Sequence, residues 1–371
     1  MERPGRSRWP SGFLGMMFLV FLVESWICTH DLNFIPTSTL SWRLAFDAIP
    51  REAATCEIAC FGDSLVKIGV IPAVIQEITG RPTYNFAMAQ APAIATDFAF
   101  RRLLKSGGRP STIIVDFKPS ILAGGPEYSL RHWQTTLTFP ETIEVLNRSH
   151  QARLCLEIGL GRLFPSLRDR SEVKESLRGA LGGVTALNLS TNRLAARNWG
   201  RNAGAHVNSS KAGFTGDIDE NLHAKLLSDS WRCHPNNRQS IERLMNLAET
   251  HRIRVFWLIP PLPRSLQERR ERSGTLAAYL DFVRSIQMRH PSITVVDGSR
   301  SDYANELFAD PTHLNGRGSI AMSRDLAGIL LGAGTRSNWV ALPAYSERPD
   351  RYSIEDVDQS RIALESETTV R

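Results

Sequence analysis

Two short stretches hold the side chains whose types and spacing suit chemistry. The first is Cys60-Phe61-Gly62-Asp63-Ser64-Leu65, which closes an apolar run and precedes residues with helical spacing. An apolar run, a small-residue turn and a helix present a loop residue at the C-terminal edge of a parallel sheet. Ser64 there is expected to face a cleft, with its own N–H at a helix N-terminus that favours developing negative charge. Gly-Asp-Ser also makes an ordinary turn or helix cap, so the tripeptide needs a partner elsewhere.

That partner is Phe308-Ala309-Asp310-Pro311-Thr312-His313-Leu314-Asn315, far downstream. Residues three apart come side by side in a tight turn or a first helical turn. Asp310 can then hold one ring nitrogen of His313 while the other faces a nucleophile. A serine hydroxyl is a poor nucleophile until a base takes its proton. Ser64, His313 and Asp310 thus supply nucleophile, base and orienter. The bland alternative is a helix start capped by Asp310 with His313 exposed. His132 and His234 are alternative bases.

With these residues in place, the sequence resembles the SGNH (GDSL-type) hydrolases, which carry Gly-Asp-Ser after the first strand and Asp-x-x-His near the domain end. The match covers about residues 56–123 and 253–331. The resemblance implies a three-layer α/β/α fold of flavodoxin type and a Ser, His, Asp triad that cleaves or transfers acyl esters, with no cofactor. It also implies three oxyanion donors: the N–H of Ser64, a glycine N–H after the second strand and an asparagine side chain after the third. The glycine position falls on Gln90, and Ser120 roughly replaces the asparagine. Asn85 is a further candidate donor, or else a turn former at the strand end.

The surrounding elements fit that architecture. Helical spacing runs over 66–78, broken by Pro72, and over 94–105, 276–289 and 318–331. Strands are expected at 82–88, 112–117, 254–259 and 293–296 besides the one before Ser64. Strands alternating with helices argue for an α/β fold with a parallel sheet covered on both faces. Residues 54–126 and 236–334 form its two halves. Between them, 127–235 is too long for a connection and is expected to be an insertion after the third strand. It covers the sheet edge either as a lid or as a surface excursion, with helical pieces near 141–146 and 172–181. The tail, 335–371, reads as a polar surface segment or disorder, with an apolar contact at 339–342.

Composition excludes some functions. The formal charge of +6 over 371 residues is spread along the chain, with no basic block interleaved with aromatics, so nucleic acid is not an expected partner. Five cysteines give no framework, although Cys155 and Cys233 could pair, and no Cys/His cluster has metal-ligand spacing. Arg3, Arg6 and Arg8 precede an apolar run within 1–30, which describes a secretion signal or a membrane anchor. Without a small-x-small cleavage site, the anchor is favoured and the domain is expected outside the cytoplasm. The function expected first is a serine esterase acting on acyl esters, acetylated carbohydrate among them. An O-acyltransferase for exported polysaccharide and a non-catalytic carbohydrate-binding protein are the alternatives.

Overall fold

Runs of apolar residues with no polar alternation belong to strands buried on both faces. Four such runs, with the short polar stretch Thr83–Asn85, become strands in the computed structural model, which describes residues 11–182, 188–218, 231–332, 337–345 and 351–369. They are β1 (Ile58–Phe61), β2 (Thr83–Asn85), β3 (Thr112–Val115), β4 (Arg254–Ile259) and β5 (Ile293–Asp297), joined by a sixth, β6 (Trp339–Ala341). All pairings are parallel, in the order β2-β1-β3-β4-β5-β6. The first five strands follow the flavodoxin-like order, and the sheet changes winding direction between β1 and β3. Ligands of open α/β sheets bind beyond the strand C-termini at that point.

Alternate strand residues point to opposite faces. Ala59, Phe61, Ile113, Val115, Val255 and Trp257 pack beneath α2 (Thr37–Glu52), α5 (Ala93–Lys105) and the helices Pro235–Thr250 and Thr275–Arg289. Ile58, Cys60, Ile114, Phe256 and Leu258 meet α3 (Ser64–Gly69), α4 (Pro72–Thr79) and the helix Gly316–Leu331. The three-layer α/β/α expectation holds.

Several boundaries differ from the sequence expectation. In α2, Trp42, Ala45, Phe46 and Ile49 recur on one helical face and enter the core, so the packed domain starts before residue 54. The insertion begins with α6 (Pro119–Leu122) behind it. It contains α7 (Leu130–Thr136), α8 (Phe139–Ser149), α9 (Ala152–Leu163), α10 (Pro165–Arg168), α11 (Arg170–Leu181) and α12 (Leu189–Arg201). The expected pieces at 141–146 and 172–181 lie inside α8 and α11. Trp133, Val145, Leu154 and Ile158 join the main core, so this segment packs as part of the domain. Further on, the Asn85 N–H donates to Ala203 O at 2.9 Å, which covers the exposed edge of β2.

The tail is more ordered than its polarity suggests. Trp339 and Leu342 anchor β6 beside β5, and the helix Val357–Thr369 packs on α12, where Arg197 Nε donates to Glu355 at 3.0 Å. Polar composition misleads here because the segment borrows a preformed sheet edge rather than building its own core. Cys155 and Cys233 are both free thiols, donating to Thr142 O and His234 O respectively. Near the N-terminus, α1 (Ser11–Thr29) is long and apolar enough over Gly12–Thr29 to cross a membrane and is almost wholly unburied, which is compatible with a signal or signal-anchor sequence. Arg3, Arg6 and Arg8 lie outside the described residues.

Candidate active site

The turn after β1 is shaped by a buried carboxylate. Gly62 has φ +137°, and a Cβ there would lie 1.8 Å from Asp116 Oδ1, so only glycine fits. Asp116 follows β3, the neighbouring strand, and its Oδ1 accepts the Asp63 N–H at 3.0 Å. Asp63 in turn caps α3, its Oδ1 accepting the Leu65 N–H at 2.7 Å. Ser64 is therefore fixed as the first residue of α3, half-buried, with its N–H lacking an intrahelical acceptor.

His313 arrives on a tight loop closed by pairing of Phe308 with Leu314. The Ala309 N–H donates to His313 O at 2.8 Å. Asp310 Oδ1 accepts the N–H groups of Thr312 and His313 at 2.8 and 3.0 Å, which leaves Oδ2 aimed at the imidazole. His313 Nδ1 lies 2.7 Å from Asp310 Oδ2, and His313 Nε2 lies 2.8 Å from Ser64 Oγ. An ionised carboxylate only accepts, so Nδ1 carries the proton and Nε2 is the acceptor facing the hydroxyl. Burial alone would raise the Asp310 carboxyl, but the hydrogen bond and charge of His313 and the two backbone N–H groups hold it down to about 2.

The other imidazoles are placed elsewhere. His234 caps the helix Pro235–Thr250, accepting from the Asn236 N–H, and His132 is buried against Trp42 with ring centroids 4.6 Å apart. Neither bonds Ser64.

The oxyanion candidates fare unequally. Asn85 is corrected: its amide donates to Val66 O and Val70 O at 2.9 and 2.8 Å, and its Oδ1 accepts the Ala87 N–H, so no donor remains. It fastens β2 to α3 instead. Gln90 has φ +57°, the left-handed conformation that favours glycine. The Met88 N–H donates to Gly62 O at 3.0 Å, the Ala89 N–H to Ser41 Oγ and the Ala91 N–H to Met88 O. Among the described residues, the Gln90 N–H of this loop alone has no acceptor, and the loop is tied directly to the serine turn. Ser120 lies half-buried in α6 beyond β3 and makes no bond to Ser64.

Four residues of the site escaped sequence reasoning. Asp63 and Asp116 are both fully buried; burial raises the Asp63 carboxyl, and burial together with the neighbouring Asp63 charge raises Asp116 well above the usual range. Like charges so close disfavour each other's ionised form, Asp116 the more strongly. Lys67, one turn after Ser64, donates to Ala87 O and Gly204 O at 3.3 and 3.1 Å and lies 4.2 Å from the Trp199 ring; burial lowers it to about 7. The Trp199 Nε1–H donates to His206 Nδ1 at 2.7 Å, and burial, then the Lys67 charge, lowers His206 to about 4. Carboxylates at the ends of two adjacent strands were a readable signal; Lys67 and His206 meet across 139 positions and left none. No family model matches the chain, and no curated protein matches it.

Proposed function

We propose that the protein is a serine esterase of the SGNH type, tethered to a membrane by α1, with its catalytic domain outside the cytoplasm. The observation that carries this is the continuous chain from Ser64 Oγ through His313 to Asp310, at 2.8 and 2.7 Å. Ser64 Oγ attacks an ester carbonyl carbon as its proton passes to His313 Nε2. Charge building on the carbonyl oxygen is met by the free N–H groups of Ser64 and Gln90. The C–O bond to the alcohol breaks, and His313 returns the proton to the leaving oxygen. Water, deprotonated by His313, then attacks the acyl-enzyme carbonyl and frees the acid and Ser64. Asp310 stays ionised and holds the imidazolium in place. Acylated, above all acetylated, carbohydrate outside the cytoplasm is the substrate class this location suits.

A fluorophosphonate probe tests the chemistry. The wild-type protein should be labelled covalently at Ser64, and Ser64→Ala should not. Folded wild-type protein that takes up no probe overturns the enzyme proposal in favour of a binding protein. With an acetyl ester and an added glycan, acetate in solution marks hydrolysis, and acetyl on the glycan marks the transferase alternative.

A further inference from the structure

α9 is apolar on two sides. Leu154, Ile158 and Gly161 repeat at helical spacing and are buried within the insertion. Leu156, Leu160 and Leu163 repeat that spacing on another side and are 63%, 40% and 71% exposed. The next two helices, packed in series, add Leu167, Leu177 and Leu181, at 58%, 63% and 92%. A surface helix with one buried stripe keeps its other side polar. Scattered exposed leucines need no explanation, but six over three consecutive helices make a patch of the kind that marks a protein or membrane contact.

The neighbour of this patch decides which. α1 packs against α10, and its Glu24 accepts from the Ser166 N–H at 2.9 Å and also from the Ser166 hydroxyl. Glu24 interrupts the apolar run near its C-terminal end, and Trp26, 53% exposed, follows it. A carboxylate and a tryptophan at that depth belong to the level where a membrane helix leaves the hydrocarbon. The leucine-bearing helices thus start from α10, the helix on which α1 packs at the level of Glu24. Charge agrees. Glu157 is paired with Arg153, Asp169 with Arg131 and Arg168, and Glu172 with Arg131. Arg162, Arg170, Lys174 and Arg178 are exposed on the same helices and form no ion pair among the described residues, against one such carboxylate, Glu175. Leucines accompanied by unpaired cations suit an interface with anionic headgroups.

We infer that α9, α10 and α11 form a second membrane-contacting face, which lies on the lipid surface of the leaflet where α1 emerges. This inference rests on α1 being a membrane anchor and is independent of the ester chemistry. The insertion is then a platform laid on the bilayer, and its other end reaches the serine through Lys67 and His206.

The test reconstitutes the full-length chain in vesicles of phosphatidylcholine and phosphatidylglycerol carrying a lipid with a photoactivatable acyl chain. Peptides labelled on irradiation are mapped by mass spectrometry, with the helix Thr275–Arg289 of the main domain as the blank. Label is expected in α1 and in α9 to α11. Replacing Leu156, Leu160 and Leu163 together by Ser should remove label from α9, keep it in α1 and leave circular dichroism and ester hydrolysis unchanged. Label confined to α1 overturns the second face while leaving the anchor standing. Label absent from α1 overturns the anchor and the inference together. Cross-linking through these leucines to a second copy of the chain, in place of lipid, assigns the patch to self-association and overturns the lipid contact.

Discussion

Ser64→Ala removes one oxygen from a half-buried side chain whose backbone is fixed by Asp63 and Asp116, so its stability should change by no more than about 1 kcal/mol. Its hydrolysis of an activated acetyl ester should fall to background. His313→Ala should fall as far, since groups acting as a unit are not additive, and Asp310→Asn nearly as far, through a wrong tautomer. Initial rates on variants checked by circular dichroism decide it, and near-native turnover by folded His313→Ala would remove that histidine from the mechanism. Asp310 also carries a pH signature. Its folded value of about 2 lies below the unfolded value of about 3.9, so its stabilisation is present above the latter and is lost as pH falls toward the former. Acid unfolding of Asp310→Asn should lack that loss; superimposable acid limbs for variant and wild type would contradict it. These three residues were legible in the sequence because each motif is local and its chemistry follows from side-chain type. Of the two readings of Asn85, the turn former holds, its Oδ1 accepting the Ala87 N–H, and the donor reading fails because Val66 O and Val70 O, which the fold brings to it, take its amide. Gln90 was legible only as a position: its φ of +57° is a property of the folded loop.

At the scale of elements, the join between β1 and α3 is the tightest constraint. Gly62→Ala forces a Cβ onto Asp116 Oδ1 at φ +137°, and should cost about 3 kcal/mol or more. Gly80→Ala is the control: φ +69° with nothing within 4 Å, for which about 1 kcal/mol of backbone strain is expected. Equal denaturation midpoints for the two variants would show that the carboxylate yields freely. One turn later, Lys67 fastens α3 to the insertion. Its value of about 7 lies below its ordinary 10.5, so the folded state binds fewer protons between those limits, and stability gains with rising pH there. Relative to Lys67→Met, the wild type should therefore strengthen between about pH 7 and 10, as read by urea unfolding; parallel curves would mean the amine is not buried as described. The strands were legible as short apolar runs because both sheet faces are covered. α2 was equally readable in the spacing of Trp42, Ala45, Phe46 and Ile49, but it lies ahead of the first strand, where no motif drew attention. β6 and the insertion's contacts were not legible, because three polar-flanked residues pair only with an edge already formed, and Trp133 or Trp199 finds its partners across long separations.

At the scale of the molecule, α12 gathers the two ends of the chain. Asn192 donates to Leu32 O and Ile35 O, both at 2.8 Å, just beyond α1, and Asn202 donates to Glu355 O at 2.7 Å in the tail. With the Glu24 bonds to Ser166, this fixes α1 to the α/β body at two places rather than leaving it on a flexible tether. Eighteen residues from Gly12 to Thr29, at about 1.5 Å each, span about 27 Å, of which about 18 Å precedes Glu24, against the roughly 30 Å hydrocarbon core of a bilayer. Phe13, Phe18, Leu19 and Phe21 are 46 to 66% exposed and would otherwise face water. Burying that surface in lipid is favourable by about 25 cal/mol per Å² of apolar area, far more than surface charge contacts contribute. The protein should consequently sediment with membranes, resist washing with concentrated salt, and leave them only in detergent. Protease added outside intact cells should digest the α/β domain while α1 stays protected. A salt wash that released the chain would reduce α1 to a peripheral contact, and full-length protein in the soluble cytosolic fraction would remove the anchor altogether.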